Sequence, residues 1–167
     1  RSAAEAAWQG SGLPVHIFRL AGIYGPGRSP FEKVRRGTAR LIVKPGQYFS
    51  RVHVDDIAQV LAASIARPRP GAVYNVCDDA PVPPEAVLSH AAALLGLPPP
   101  PEVAFADATM TDMARSFYSE SRRVRNDRIR RELGVRLRYP DYRAGLAAVL
   151  AAEDAAAENA ARAAGEA

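Results

Sequence analysis

One stretch, residues 15–28, constrains the fold of this chain more than any other, because an apolar run leads directly into a turn rich in glycine and proline. The run at residues 15–20 has the length and composition of a strand that is buried on both faces. Tyr24 and Arg28 follow it in the turn. Since the loops at the carboxyl ends of parallel strands are where such sheets meet ligands, the pattern predicts an α/β fold with a ligand site after this strand.

Strand and helix signals alternate along the rest of the chain, as they do in α/β proteins. Short apolar runs predict further strands, the first two of them forming a hairpin, at residues 41–43, 48–54, 73–76, 102–105 and 121–124. Helical periodicity and capping residues predict helices at residues 3–9, 30–34, 55–65, 84–95, 109–116, 125–133 and 142–150. The alanine-rich segment 151–167 has high helix propensity and little to bury, so it is predicted to be a helical or frayed tail.

Composition narrows the class of protein. The 167 residues, 48% of them hydrophobic, are enough for one compact unit. The single cysteine, Cys77, rules out an internal disulfide framework and a multi-thiolate metal site, and it indicates a reducing compartment such as the cytoplasm. No apolar run approaches the roughly 20 residues that a membrane-spanning helix needs, so no membrane association is expected.

The formal net charge of +4 comes from arginines that crowd into residues 122–138. Asp127 and Glu132 lie among them, and no aromatic residues are interleaved. With Ile129 and Leu133 turned inward, the pattern predicts the solvated face of a helix rather than a nucleic-acid-binding surface. Contact of these arginines with phosphate is the alternative interpretation.

Three motifs occur in an order and spacing that are typical of one family. They are Arg-Leu-Ala-Gly-Ile-Tyr-Gly-Pro-Gly at residues 19–27, Arg-Val-His-Val-Asp-Asp-Ile-Ala at 51–58 and Val-Tyr-Asn-Val at 73–76. Over residues 1–150 the chain resembles the carboxyl-terminal half of the NAD-dependent epimerase/dehydratases, which are extended and atypical short-chain dehydrogenases/reductases. The resemblance implies the C-terminal part of a Rossmann-like doubly wound parallel sheet plus a small α/β substrate-binding lobe.

The glycine-rich loop with which that family holds the dinucleotide phosphates does not occur in this sequence. The resemblance therefore implies that the N-terminal dinucleotide-binding half is absent, and that NAD or NADP is bound mostly by that half. It places Leu20, Ala21, Gly22 and Ile23 beside the nicotinamide, where small side chains and free backbone amides let the ring approach. The alternative is that Ala21 and Gly22 only permit a tight transition from strand to turn.

The family's catalytic pair is a tyrosine and a lysine one helical turn apart, and related sequences carry a glutamate four residues after the lysine. If Glu5 is that glutamate, Arg1 stands at the catalytic lysine position and the tyrosine precedes the chain. Arginine keeps a positive charge there, but it is not equivalent to lysine in lowering the pKa of a tyrosine. The alternative is that Arg1 has no such role and only marks where the sequence starts.

Tyr24, Arg28 and Arg51 are the candidate substrate-binding residues. The Tyr24 hydroxyl is expected to line the substrate pocket, or else its ring packs over Pro26 as a lid. Arg28 lies in the loop after the strand, where it faces ligand, and a solvated loop arginine is the alternative. Arg51 is expected to reach an anion from a neighbouring strand position, and the alternative is that the alternation of side chains along the strand turns it to the opposite face from Ser50.

Two departures from the family pattern argue against a nucleotide-sugar substrate. Gly22 stands where such members usually carry Asn, and Phe49 stands where they carry Arg. His53 is expected to make a structural hydrogen bond, and Asp55 and Asp56 are expected to cap a helix. No metal site is therefore predicted.

These observations predict a fragment of an NAD(P)-dependent epimerase/dehydratase-like oxidoreductase that acts on a small carbonyl or hydroxyl compound. The alternative is an NAD(P)-binding regulatory or sensor protein of the same fold, in which the catalytic pair is eroded. A small-molecule substrate is the expected partner, with no nucleic acid and no membrane, and a homodimer is one option for the oligomeric state. The fragment alone is expected to be inactive and to bind dinucleotide weakly.

Overall fold

The computed structural model describes residues 2–165, and within them six short strands alternate with seven helices. In chain order these are α1 (Ser2–Gln9), β1 (Ile17–Leu20), β2 (Gly22–Tyr24), α2 (Phe31–Arg35), β3 (Leu41–Val43), β4 (Arg51–His53), α3 (Val54–Ala66), β5 (Val73–Val76), α4 (Pro84–Leu94), β6 (Glu102–Ala104), α5 (Asp112–Phe117), α6 (Asp127–Leu133) and α7 (Tyr142–Gly165). The α/β fold class predicted from the sequence is confirmed.

The strands form three parallel pairs, β1 with β5, β2 with β4 and β3 with β6. Parallel neighbours need a crossover connection, which is why helices separate the members of each pair in the sequence. Only Ala21 separates β1 from β2, and its amide donates to the Val76 carbonyl at 3.1 Å, whereas the next amide, of Gly22, donates to Ser50 at 3.1 Å. The chain therefore changes its partner strand within one residue.

One predicted strand pairing and one predicted strand are wrong. The hairpin expected at residues 41–54 does not form, because β3 and β4 each take a parallel partner from elsewhere in the chain, β6 and β2 respectively. The strand expected at residues 121–124 is instead an irregular segment. It lies against residues 48–50 through isolated hydrogen bonds, such as the 3.0 Å bond from the Val124 amide to Ser50 Oγ.

Two clusters of buried side chains hold these elements together. One lies between β4, β5, α3 and α6 and contains Val52, Val60, Tyr74, Val76, Ile129 and Leu133. The other joins Tyr24 to α2, α4 and α7 and contains Phe31, Val34, Val87, Tyr142, Leu146 and Val149. Since removal of apolar area from water is the main favourable contribution to folding, these clusters fix how the helices sit on the strands.

The arginine-rich helix has the predicted orientation. Ile129 and Leu133 of α6 are buried, and Gly134 ends the helix with a left-handed φ of +69°. Arg128 pairs with Glu132 at 2.7 Å and Arg130 pairs with Asp79. These arginines thus have carboxylate partners from the chain itself.

The acidic pair after β4 differs from its expected role. The cap of α3 is His53, whose Nδ1 accepts from the Asp55 amide at 3.2 Å. Asp56 is buried and accepts from the backbone amides of Arg138 at 2.7 Å and Tyr139 at 3.1 Å, so it fixes the segment that leads into α7. Within residues 2–165 no group of three or more His, Cys, Asp or Glu side chains is placed to hold a metal ion.

Helix α1 and the second half of α7 are largely exposed. No residue of α1 is buried, and the Trp8 side chain is 59% exposed. The part of α7 after residue 150 is helical and almost entirely exposed, as predicted for the alanine-rich segment. No helix within residues 2–165 has both the length and the apolar character to cross a bilayer.

Candidate functional site

The junction between β1 and β2 separates two cavities. The larger, an open cleft of about 1020 Å³, lies along α1 and β1, and its lining includes Trp8, Arg19, Leu20, Ala21, Asn75 and Arg122. The smaller, a pocket of about 230 Å³, lies behind β2 and is lined by Gly22, Ile23, Tyr24, Pro30, Arg51, Val87, Tyr142 and Leu146. The four residues expected beside a nicotinamide are therefore divided, two on each cavity.

The backbone at this junction is less available than the sequence suggested. The amides of Ala21 and Gly22 both donate to neighbouring strands, so the expectation of free amides at these two residues is wrong. Parallel pairing on both sides of the bend uses these donors. What the junction offers to a ligand is its small side chains and Leu20, which is 38% exposed.

Tyr24 forms one wall of the small pocket and turns inward. Its hydroxyl donates to the Asp141 carbonyl at 3.5 Å, and its ring lies edge-on to His53 at 5.2 Å between centroids. Close contact with the Cα of Gly145 places the ring against α7, so it does not form the alternative lid over Pro26. Burial, reinforced by the nearby Asp78 carboxylate, raises the pKa of Tyr24, which keeps the hydroxyl protonated.

Arg51 brings a positive charge to the same pocket. Its guanidinium is half-buried and donates to the Phe49 carbonyl at 3.1 Å. Burial lowers the pKa of Arg51, and neighbouring Asp78 opposes that shift, yet a guanidinium remains charged at any physiological pH. Among residues 2–165 no carboxylate oxygen lies within 4.0 Å of it.

Asp78 is the functional candidate that the sequence interpretation missed. It lies two residues after the end of β5, and its amide donates to the Arg51 carbonyl at 2.6 Å. The side chain is 2% exposed, with Oδ1 accepting from the Ala80 amide at 3.3 Å and Oδ2 without a partner among the described residues. Burial raises the pKa of Asp78 to about 7. Its position at the carboxyl end of a parallel strand was a signal that could have identified it.

The remaining predicted residues lie apart from this pocket. Arg28 is exposed in a turn closed by backbone bonds with Gly25, and it lines neither cavity. Arg1 lies outside the described residues. Glu5, which sets the alignment of Arg1 with the family lysine, accepts from the Arg19 guanidinium at 2.6 Å and so ties α1 to β1. The structure thus brings Tyr24 and Arg51 together but not Arg28.

Comparison with known proteins gives partial-length relatives. No family model matches the chain. Protein YeeZ from Escherichia coli K12 is 31% identical over 132 residues, which are 78% of this chain and 43% of YeeZ. The 3-diazoavenalumate denitrifying reductase from a Streptomyces species is 31% identical over 147 residues, 81% of this chain and 47% of that enzyme. The chain spans about half the length of these relatives.

Similar solved structures are likewise matched over about half of their own length. A conserved protein of unknown function from Silicibacter pomeroyi DSS is 66% identical, with a TM-score of 0.86 over 92% of this chain and 54% of that one. MoeE5, solved with UDP-glucuronic acid and NAD, is 25% identical, with a TM-score of 0.64 over 84% of this chain and 48% of that one. DesIV from Streptomyces venezuelae, a dTDP-glucose 4,6-dehydratase solved with NAD, is 23% identical, with a TM-score of 0.68 over 89% and 46%.

Proposed function

Because this chain corresponds to the carboxyl-terminal half of an NAD-dependent epimerase/dehydratase, we propose that it is the substrate-facing half of an NAD(P)-dependent oxidoreductase. The proposed substrate is a small carbonyl or hydroxyl compound and not a nucleotide sugar. One observation carries the proposal. Consecutive residues of one strand junction line a large cleft (Leu20 and Ala21) and a small pocket (Gly22 and Ile23), so that a dinucleotide and a small substrate can both contact this junction.

The residues of the cleft fit a nicotinamide dinucleotide. Leu20 and Ala21 offer a small apolar surface against which a flat ring can pack, and Asn75, Arg19 and Arg122 provide polar groups around it. When bound, the dinucleotide supplies or accepts a hydride. The protein residues of this half hold and orient the two ligands, and proton transfer is assigned to the upstream half, next to Arg1.

The size and lining of the pocket favour a small substrate. A volume of about 230 Å³ lies below the range of about 300–1,000 Å³ found for larger organic ligands. Phe49 lies edge-on to Tyr118 at 5.4 Å between centroids, so an aromatic pair stands where the resemblance implies an arginine in nucleotide-sugar members. Gly22 leaves space beside Arg51, because a Cβ there would meet Ser50 O at 3.4 Å and Arg51 Cγ at 3.8 Å.

The test is a substrate panel on the whole protein, with NADH and NADPH oxidation followed by absorbance. We expect turnover of small aldehydes, ketones or oxo acids and none of UDP-glucuronic acid or dTDP-glucose. Gly22→Asn fills the space beside Arg51, and it is expected to reduce turnover of the small substrate without loss of dinucleotide binding. Preferential turnover of a nucleotide sugar would overturn the proposal.

A second candidate function is a dinucleotide-binding regulatory or sensor protein. The observation that favours it is the arginine at position 1, which corresponds to the family's catalytic lysine if Glu5 is the family glutamate. It predicts that the whole protein binds NAD or NADP but oxidises or reduces none of the panel. Substitution of Arg1 by lysine would then leave the protein inactive, whereas an enzyme would respond with a changed rate.

A further inference from the structure

The small pocket contains one charge within apolar walls. Ile23, Val87 and Leu146 line it from three different elements, and Arg51 is the only one of its lining residues with an ionisable group other than a phenol. A ligand that fills this space therefore meets hydrocarbon over most of its surface and a guanidinium at one end.

Arg51 has no carboxylate partner among the described residues. Nine other arginines within residues 2–165 form ion pairs with Asp or Glu, so the chain does not lack carboxylates in general. Arg51 makes a single hydrogen bond, to the Phe49 carbonyl two residues earlier. Its other N–H groups make no hydrogen bond to the described residues, so they are available to a ligand.

Asp78 supplies a negative charge near Arg51 without pairing with it. The charged or titratable groups that act on Asp78 are Arg51 on β4, Tyr24 on β2, Asp141 before α7 and the adjacent Cys77. Of these only Arg51 is positive. An ionised Asp78 thus offsets Arg51 from a distance, and a protonated Asp78 leaves the guanidinium uncompensated.

We propose that the substrate of this pocket is a small organic acid, whose carboxylate binds Arg51 and whose short apolar or carbonyl-bearing end lies against Ile23, Val87 and Leu146. This inference rests on the proposed function and names its substrate class. Inorganic phosphate offers the same anionic chemistry, but it would need more donors than one guanidinium and would leave the apolar walls bare. Asp78 is assigned as the charge that opposes binding of the anion.

The test is calorimetric binding to the full chain at pH 7.5 in the absence of dinucleotide, with 2-oxobutyrate, its neutral amide and inorganic phosphate as probes. We expect 2-oxobutyrate to bind at least about tenfold more tightly than the amide or phosphate, because hydrogen bonds to a charged group are the stronger ones. Arg51→Gln should lower affinity for 2-oxobutyrate by about tenfold or more, and Arg51→Lys should restore part of it. Arg131→Gln removes an equal charge from an exposed site on α6 and is the matched control.

Asp78→Asn gives a result of opposite sign. It removes the opposing negative charge, so affinity for 2-oxobutyrate should rise severalfold at pH 7.5, and the gain should shrink at pH 6, where wild-type Asp78 is largely protonated. A structural role for Asp78 would not produce this pH-dependent gain. Thermal unfolding of each variant identifies any that fail to fold, and Arg51→Lys and Asp78→Asn keep the test valid if Arg51→Gln is one of them.

The outcomes separate this inference from the proposed function. Equal affinity for 2-oxobutyrate and its amide, or tighter binding of phosphate, would overturn the assignment of an organic acid. Turnover of neutral ketones by the whole protein would then still support the oxidoreductase. Conversely, binding of 2-oxobutyrate that depends on Arg51 supports the pocket assignment even if no turnover is found.

Discussion

Replacement of Gly145 by alanine tests the packing that shapes the small pocket. A Cβ at this position of α7 would lie 2.6 Å from Tyr24 Cζ and 2.7 Å from Cε2, and the Tyr24 hydroxyl would be closer still. Carbon atoms in contact prefer separations of about 3.5–4.0 Å, so the ring would have to move by roughly 1 Å. The Tyr24 ring has little room to move, because it contacts His53 and its hydroxyl donates to the Asp141 carbonyl.

The magnitude follows from two opposing effects. Overpacking of this kind costs about 1–3 kcal/mol, occasionally more, and we take the upper end because the contacted atoms belong to a rigid ring. Alanine in place of glycine inside a helix stabilises the folded state by about 1 kcal/mol through its higher helix propensity. We therefore expect Gly145→Ala to lower the free energy of unfolding by about 2 kcal/mol, which is roughly 4–8 °C in Tm for a chain of this size.

Urea unfolding followed by circular dichroism measures this change. The matched control is Gly165→Ala, in the same helix, where a Cβ would meet nothing within 4 Å. A double variant of Gly145→Ala with Tyr24→Ala should show a coupling energy that removes most of the penalty. If Gly145→Ala proves as stable as Gly165→Ala, the close approach of Tyr24 to α7 is wrong, and with it the shape of the pocket.

Three further predictions concern the polar groups around the site. Burial raises the pKa of Asp78 to about 7, above the value of about 3.9 in an unfolded chain. The folded state therefore holds the proton more tightly, and the free energy of unfolding decreases as pH rises between these two values. Urea unfolding should show Asp78→Asn more stable than wild type by about 1–2 kcal/mol at pH 8 and no more stable at pH 4. Asp56→Ala leaves two backbone amides without acceptors and should cost about 2–3 kcal/mol, whereas the exposed neighbour Asp55→Ala should cost less than about 1 kcal/mol by the same measurement. Burial lowers the pKa of His53, so the unfolded chain takes up the proton at a higher pH than the folded chain does, and the free energy of unfolding should fall as pH drops below about 6.5. His53→Asn keeps a capping acceptor and should make the free energy of unfolding less dependent on pH in this range.

Local patterns predicted the elements but not all of their partners. The apolar run that contains β1 and the caps of α6 were readable from neighbouring residues, since strand length, helical spacing and a terminal glycine are local properties. The hairpin prediction for residues 41–54 failed because proximity in sequence favours antiparallel pairing, whereas here Val52 and Leu41 are buried in strands that pair with distant parts of the chain. Pairing between strands far apart in the chain leaves no local signal.

The site was predictable in part for the same reason. Tyr24 and Arg51 were identified from their motifs, and the strand pairing that brings them to one pocket places His53 opposite Tyr24. Asp78 was passed over because an Asp after a strand is most often a turn residue, and only the fold reveals that its Oδ2 is buried with no partner among residues 2–165. Asp56 has the sequence position of a helix-capping carboxylate, but its hydrogen-bond partners lie more than 80 residues away.

The change of strand partner at Ala21 has a mechanical consequence. An uninterrupted β-strand pairs with the same neighbour along its whole length. Here β1 pairs with β5 and β2 pairs with β4, and the single residue Ala21 connects the two pairs. Displacement of β5 is therefore transmitted to β4 through this junction as well as through the buried cluster that contains Val52 and Val76. A bulkier side chain at position 21 would strain the pairing of β1 with β5 and that of β2 with β4 together. Enlargement of this one alanine is therefore expected to disturb both cavities at once.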